Sequence, residues 1–261
     1  MHTSTIPALP ALPMDRLQNF STPVSWGISN PQRFYELMEE IKTLVSPGYY
    51  LGDNLFTWGR NNSAFEDSAF VQALASNIQN GADQAIAWRR YLLVCSACHA
   101  AHLEGDFVEC GVYLGTGIKT VVDYLGKDRF TKRFWGYDTF DYHPTEGHNF
   151  AEQSAGLFEK VRQRFVDYPM VQLIKGLLPE AFAQGCPEKV AYLHIDLNNA
   201  EGEIASLEQL WERVVPGGLV ILDDYEWAAY REQKLAEDLW FQARGYRVMP
   251  LPTGQGLVIK R

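Results

Sequence analysis

Positive charge is scarce in this chain: 23 lysines and arginines stand against 32 aspartates and glutamates, a formal net charge of −9. A general nucleic-acid coat and a polybasic membrane binder both need a net positive surface, so neither class fits. Long apolar runs are missing too. The nearest approach, Tyr91 to Leu103, has 13 residues, short of the ~18 that a membrane span needs. Met1 to Pro13 has no basic start and carries prolines at 7, 10 and 13. It reads as an extended arm, not a secretory leader. The expected compartment is therefore the cytoplasm, where the four cysteines stay reduced. Neither an internal repeat nor a low-complexity linker is present.

What is there is the balance of a globular enzyme-sized protein. The 261 residues are 46% hydrophobic and 21% charged, enough chain to bury a full core without staples. Residues 1–30 read as the extended arm. Residues 31–103 read as a helical segment. Pro31 opens a helix whose Phe34, Leu37, Met38, Ile41 and Leu44 recur at helical spacing. Tyr49 to Asn62 has no clear period and is expected as an ordered loop. Two further helices are expected over 64–79 and 84–103.

From residue 104 the pattern changes. Short apolar runs, Phe107–Cys110, Phe134–Tyr137, Val171–Ile174, Val190–Ile195 and Leu219–Leu222, alternate with stretches of helical spacing. These are 116–125, 151–165, 204–214 and 228–244. Such alternation predicts βαβ crossovers around a buried parallel sheet. Two last strands, 246–251 and 257–260, flank Pro252-Thr253-Gly254-Gln255-Gly256 and read as a hairpin. The predicted fold class is therefore α/β: a seven-stranded Rossmann-like sheet, five strands parallel, closed by an antiparallel pair.

Ligands of such sheets lie beyond the carboxyl ends of the strands. The first strand ends in Glu109-Cys110-Gly111-Val112-Tyr113-Leu114-Gly115-Thr116-Gly117. Glycines let a backbone approach a ligand closely, although their spacing is not the G-x-G-x-x-G of dinucleotide sites. Glu109, near the end of a buried strand, needs a partner, which a cationic or amine-bearing ligand supplies. Asp138, after Trp135-Gly136-Tyr137, is placed to accept both hydroxyls of a ribose, or else serves a turn. Asp196 ends the fourth strand, and Asp223 and Asp224 end the fifth. Three carboxylates in one crevice repel each other. A hard divalent cation, Mg²⁺, Mn²⁺ or Ca²⁺, relieves this; the plain alternative is that Asp223 and Asp224 cap the next helix.

The segments VECGVYLGTG, WGYDTF, HIDLNNAEGEI and VVPGGLVILDDY together resemble the S-adenosylmethionine-dependent class I methyltransferases. They are most similar to the metal-dependent macrocin (macrolide-sugar) O-methyltransferase family. The resemblance spans about 105–225, and Phe56-Thr57-Trp58-Gly59-Arg60 is similar to a lid segment of that family. It implies that Glu109, Gly111, Tyr113, Gly115, Thr116 and Gly117 surround the methionine part of the cofactor. Asp138 and Thr139 would then hold its ribose, Gly176 would lie near adenine, and Asp196 would touch cofactor and metal. Asp196, Asp223 and Asp224 would hold Mg²⁺. The sequence departs from the family at Asn198, Asn199 and Ala200, and at Asp141-Tyr142-His143-Pro144. Both stretches fall where acceptor choice is made.

The implied reaction is in-line methyl transfer to an alcohol oxygen of a small polyhydroxylated or glycosylated acceptor. Positioning carries most of it. The cation lowers the pKa of the attacking hydroxyl, and His143 or Asp196 takes its proton. Tyr49, Trp58, Arg60 and Tyr225 are candidates for the acceptor pocket. The helical segment would act as lid and contribute to a homo-oligomer, a dimer or larger. Three alternatives stay open: a metal-independent methyltransferase, a nicotinamide-type oxidoreductase, and a non-catalytic nucleoside-binding protein. Cys95-Ser96-Ala97-Cys98-His99, with His102, matches a haem or zinc pattern, but it also continues the apolar face of a helix.

Overall fold

In the computed structural model, residues 18–45, 47–141 and 156–261 are described. The N-terminal part contains β1 (Phe20–Ser21), α1 (Pro31–Leu44), β2 (Tyr50–Gly52), β3 (Leu55–Thr57), α2 (Ser63–Glu66), α3 (Ser68–Asn77), α4 (Gly81–Ala85) and α5 (Ala87–Ala100). Pro31 sits in the first turn of α1, and the Asn30 side chain accepts from Arg33 N, a satisfied N-cap. The expected loop at 49–62 instead contains the β2–β3 hairpin, which joins β1 in a small sheet. Its two turn residues, Asp53 and Asn54, have φ of 50° and 51°, the conformation a two-residue hairpin turn demands. The helix expected at 64–79 breaks at Asp67, whose carboxylate accepts from Ala69 N and Phe70 N and starts α3. The helix expected at 84–103 is divided at Ile86 into α4 and α5.

The second part contains β4 (Asp106–Cys110), α6 (Thr116–Leu125), β5 (Phe134–Asp138), α7 (Leu157–Arg164), β6 (Val171–Lys175), β7 (Val190–Ile195) and α8 (Ala200–Leu210). It ends in β8 (Val214–Leu222), α9 (Arg231–Gln242), β9 (Met249–Pro250) and β10 (Gly256–Ile259). The sheet order is β6-β5-β4-β7-β8-β10-β9. The first five strands are parallel, and β10 lies antiparallel between β8 and β9. This is the seven-stranded α/β sheet expected from the sequence. The antiparallel insertion departs from the all-parallel dinucleotide sheet, so the oxidoreductase alternative loses its support. The first strand of the terminal hairpin is shorter than expected, two residues rather than six.

Alternation along the strands divides the core in two. Leu219 and Ile221 of β8 face one side with Phe107, Phe134 and Tyr192. Val220 and Leu222 face the other side with Val108, Leu193, Trp211 and Phe241. The first side is covered partly by α5, whose Leu93, Val94, Ala97 and Ala100 are fully buried. No break in packing marks residue 103, because α5 is a layer of the same sandwich. Among the described residues, no helix is long and apolar enough to cross a membrane.

Candidate active site

Strand order reverses at β4, which pairs with β5 on one side and β7 on the other. A cavity of about 800 Å³ opens beyond the carboxyl ends of these strands, where an open α/β sheet binds its ligands. Its lining includes Glu109, Gly111, Tyr113, Thr116, Gly117, Asp138, Thr139, Gly176, Asp196, Asp223 and Asp224. Of the expected cofactor and metal residues, only Gly115 stays off the wall. It stands at the N-cap of α6 with φ 76°, packed under Phe165.

The glycine loop is shaped by close approach. Gly111 has φ +92°, and a Cβ there would lie 1.8 Å from the carbonyl oxygen of Asp196. Only glycine lets β4 and β7 leave the sheet side by side at this point. Asp138 shapes the same loop. Its Oδ2 accepts from Val112 N and Tyr113 N, both at 2.7 Å, and its Oδ1 accepts from Phe140 N at 2.6 Å. The carboxylate holds the loop and keeps lone-pair capacity on Oδ1 for one more donor.

Behind this loop lies a buried charge network. Glu109 Oε2 faces His194 Nδ1 at 2.9 Å, and His194 Nε2 faces Asp223 Oδ1 at 3.3 Å. The partner that the sequence reading sought for Glu109 in a ligand is therefore in part internal. Burial alone would lower the His194 pKa, but hydrogen bonds to Asp223 and Glu109 outweigh it and raise the pKa to about 10. Both ring nitrogens then carry protons.

Arg89 of α5, 4% exposed, reaches the strand ends from the helical segment. Its Nη1 donates to Asp223 Oδ2 at 2.6 Å and to Asp224 Oδ1 at 2.9 Å, and its Nε donates to the Thr253 carbonyl at 3.2 Å. The guanidinium also lies 4.7 Å from the Trp227 ring. Gln255 Nε2 donates to Asp223 Oδ1 at 2.8 Å. Burial pushes the Asp223 carboxyl up, but Arg89 and His194 overcome this and hold it well below the usual carboxylate range. Asp196 is half-buried and accepts from Asn198 Nδ2 at 3.4 Å. Burial, then the charges of Asp223 and Asp224, push its pKa well up. Asp53 sets Arg89 in place. It accepts from Trp88 N and Arg89 N at the start of α5 and is hydrogen-bonded by the Tyr50 hydroxyl.

The ligand-forming atoms of His194, Asp196 and Asp223 lie within 4.8 Å of one another. No such grouping forms among Cys95, Cys98, His99 and His102 in the described residues. The four cysteines are unpaired, and the haem and zinc patterns find no site.

The aromatic residues at the cavity are not the expected ones. Trp58 and Arg60 point to solvent past the β2–β3 hairpin, and Tyr49 is half-buried beside Asn19. Tyr225 is 3% exposed and donates to Asp238. None of the four lines the cavity. Trp26, Trp227 and Tyr230 do. Trp26 meets Trp227 edge-on at 5.3 Å and is held by Asn54, whose Oδ1 accepts from Trp26 N and whose Nδ2 donates to Trp26 O. His143 lies outside the described residues. Sequence reasoning missed Arg89; the available signal was a pair of arginines, 89 and 90, at the start of an otherwise apolar helix.

Known proteins resemble the chain. A curated O-methyltransferase of Streptomyces olivaceus is 29% identical over 149 residues, covering 50% of this chain and 56% of that protein. Its name is 8-demethyl-8-(2,3-dimethoxy-alpha-L-rhamnosyl)-tetracenomycin-C 4'-O-methyltransferase. The match thus spans little more than half of that relative's length. The O-methyltransferase NovP superposes with a TM-score of 0.55 at 20% identity, covering 66% of this chain and 79% of NovP. The calicheamicin methyltransferase CalS11 superposes with a TM-score of 0.56 at 15% identity, covering 89% and 94%. Both likenesses are of fold. The macrocin-O-methyltransferase (TylF) family profile matches residues 92–239, more than half of the sequence. The chain belongs to the macrocin-O-methyltransferase family.

Proposed function

We propose that the chain is an S-adenosylmethionine-dependent O-methyltransferase acting on a hydroxyl of a small glycosylated or polyhydroxylated molecule. The observation that carries this reading is the cavity at the β4–β7 switch. It is lined on one side by the Gly111–Gly117 loop and on the other by Asp196, Asp223 and Asp224. Its volume suits a nucleoside cofactor and a small acceptor together. The sugar O-methyltransferase named among the relatives supports the acceptor class.

When bound, S-adenosylmethionine supplies an electrophilic methyl group on its sulfonium for in-line displacement. The chain's residues do the rest. Gly111 and Gly117 let the backbone close on the cofactor, and Glu109 offers carboxylate charge at the loop. Asp138 accepts a ribose hydroxyl with its remaining lone pair. Asp196 takes the proton of the acceptor hydroxyl. Trp26, Trp227 and Tyr230 offer ring faces to the acceptor.

The resemblance also implies a divalent cation at Asp196, Asp223 and Asp224, and the donor chemistry tests that implication. Asp223 spends one oxygen on Arg89 and the other on Gln255 and His194. Asp224 shares the same guanidinium. His194, flanked by two carboxylates, has no free lone pair to give a metal. Asp196 and Asp224 keep lone pairs, but the Arg89 guanidinium already sits between Asp223 and Asp224, so the three carboxylates do not fit a cation while Arg89 stays in place.

Self-association is part of the same proposal. Leu37, Ile41 and Leu44 leave an apolar stripe on α1, with Leu44 83% exposed, a surface that a second copy would cover. The unpaired cysteines suit a cytoplasmic location.

The test is turnover. The purified protein is incubated with S-adenosylmethionine and a panel of glycosylated polyketides and free sugars. Mass spectrometry should find a product heavier by one methylene, with equal S-adenosylhomocysteine. Methylation of amines or carboxylates alone would remove the O-methyl reading.

A further inference from the structure

The paired aspartates at the end of β8 already have a cation, and it belongs to the protein. Arg89 Nη1 bridges Asp223 Oδ2 and Asp224 Oδ1 at 2.6 and 2.9 Å. The side chain is 4% exposed and is held from three directions. Asp53 accepts from its backbone N–H, the Thr253 carbonyl accepts from Nε, and the Trp227 face lies over the guanidinium. Its Nη2 is buried beside Gly254 with no hydrogen-bond partner among the described residues. A divalent ion bound between Asp223 and Asp224 would have to displace a guanidinium whose removal leaves a buried positive charge unpaired, which is costly.

We propose that Arg89, rather than a bound divalent cation, supplies the positive charge at the Asp223–Asp224 pair, and that methyl transfer by this chain proceeds without metal. The inference rests on the O-methyltransferase reading. In it, the Arg89 guanidinium offsets the charge of Asp223 and Asp224, while Asp196 removes the proton of the acceptor hydroxyl. The bond from methyl carbon to sulfur breaks as the carbon–oxygen bond forms. The sulfonium leaves as a neutral thioether, and the hydroxyl proton ends on the Asp196 carboxylate. A guanidinium fixed at this point favours negative charge developing nearby, without a metal's power to acidify a bound hydroxyl.

Mn²⁺ serves as the probe, followed by electron paramagnetic resonance in chelator-stripped full-length protein, with S-adenosylhomocysteine titrated calorimetrically into the same samples. The wild type should bind no Mn²⁺ below millimolar concentration, while its S-adenosylhomocysteine heat is unchanged by chelator. Arg89→Met, which keeps apolar volume but drops the charge, should gain Mn²⁺ affinity at least tenfold. One Mn²⁺ bound per wild-type chain at micromolar concentration, lost in Asp224→Asn, would overturn the inference even if Arg89→Met fails to fold. Absence of S-adenosylhomocysteine heat, by contrast, strikes the methyltransferase reading and not the assignment of the cation.

Discussion

Gly111 shows how one residue fixes the side of the cavity proposed to hold the cofactor. Its backbone passes so close to Asp196 that a Cβ would overlap the carbonyl oxygen, and its φ of +92° disfavours any side chain. Gly111→Ala should therefore push β4 and β7 apart at their mouths. We expect a loss of about 2–4 kcal/mol of stability and no detectable S-adenosylhomocysteine binding, read by thermal melting and calorimetry. A variant with wild-type affinity would show that the loop is not the cofactor cradle. The three aspartates were legible in the sequence because each ends an apolar run, and a strand end fixes where a side chain must lie. Arg89 was not. It comes from a helix more than 130 positions from Asp223 in the chain, and nothing local says which way a helical arginine turns. Trp58 and Arg60 were misplaced for a related reason. The Asp53-Asn54 turn folds β3 back on β2 and leaves Trp58 58% exposed, while the same Asn54 pins Trp26 at the cavity.

At the scale of elements, the acceptor wall and the α8–α9 contact make separate predictions. Trp26 stands on the segment before α1, edge-on to Trp227, and touches the cavity but not the charge network. Trp26→Ala should raise the acceptor KM about tenfold and leave kcat within a factor of two, the pattern of lost uniform binding. An equal fall in kcat would place Trp26 in transition-state stabilisation instead. Between α8 and α9, Glu203 and Glu237 are fully buried side by side. Glu203 Oε1 also accepts from Leu197 N in the loop that follows Asp196. Burial raises the Glu237 pKa from 4.5 to about 7. A carboxyl raised in the folded state favours its protonated form there. Its contribution to stability is complete below pH 4.5 and is lost as pH rises through 7. Glu237→Gln keeps the neutral form at every pH. Its melting temperature should exceed that of the wild type at pH 8, by about 2–4 °C for each kcal/mol gained, and the gap should close at pH 4.5. A pH-independent gap would mean that Glu237 does not titrate in this range. These helices were legible as periodic stretches, but their breaks at Asp67 and Ile86 were not, since a cap acts where the apolar spacing still runs on.

For the whole molecule, strand–helix alternation and the terminal hairpin were enough to anticipate the seven-stranded sheet, because each rests on a period that one residue cannot disguise. The role of α5 was hidden, because its apolar face looked like that of any lid helix. Instead it forms part of the sandwich and delivers Arg89 to the far end of β8. The glycine loop and the charge network therefore line one cavity, completed by residues before and after 103. The most direct test of that arrangement is calorimetric titration of S-adenosylhomocysteine into chelator-treated wild-type protein. One molecule should bind per chain at micromolar concentration, with the heat unchanged when Mg²⁺ is added and abolished in Gly111→Ala. No binding with or without Mg²⁺, or binding that Gly111→Ala leaves intact, would contradict the assignment of this cavity to the cofactor.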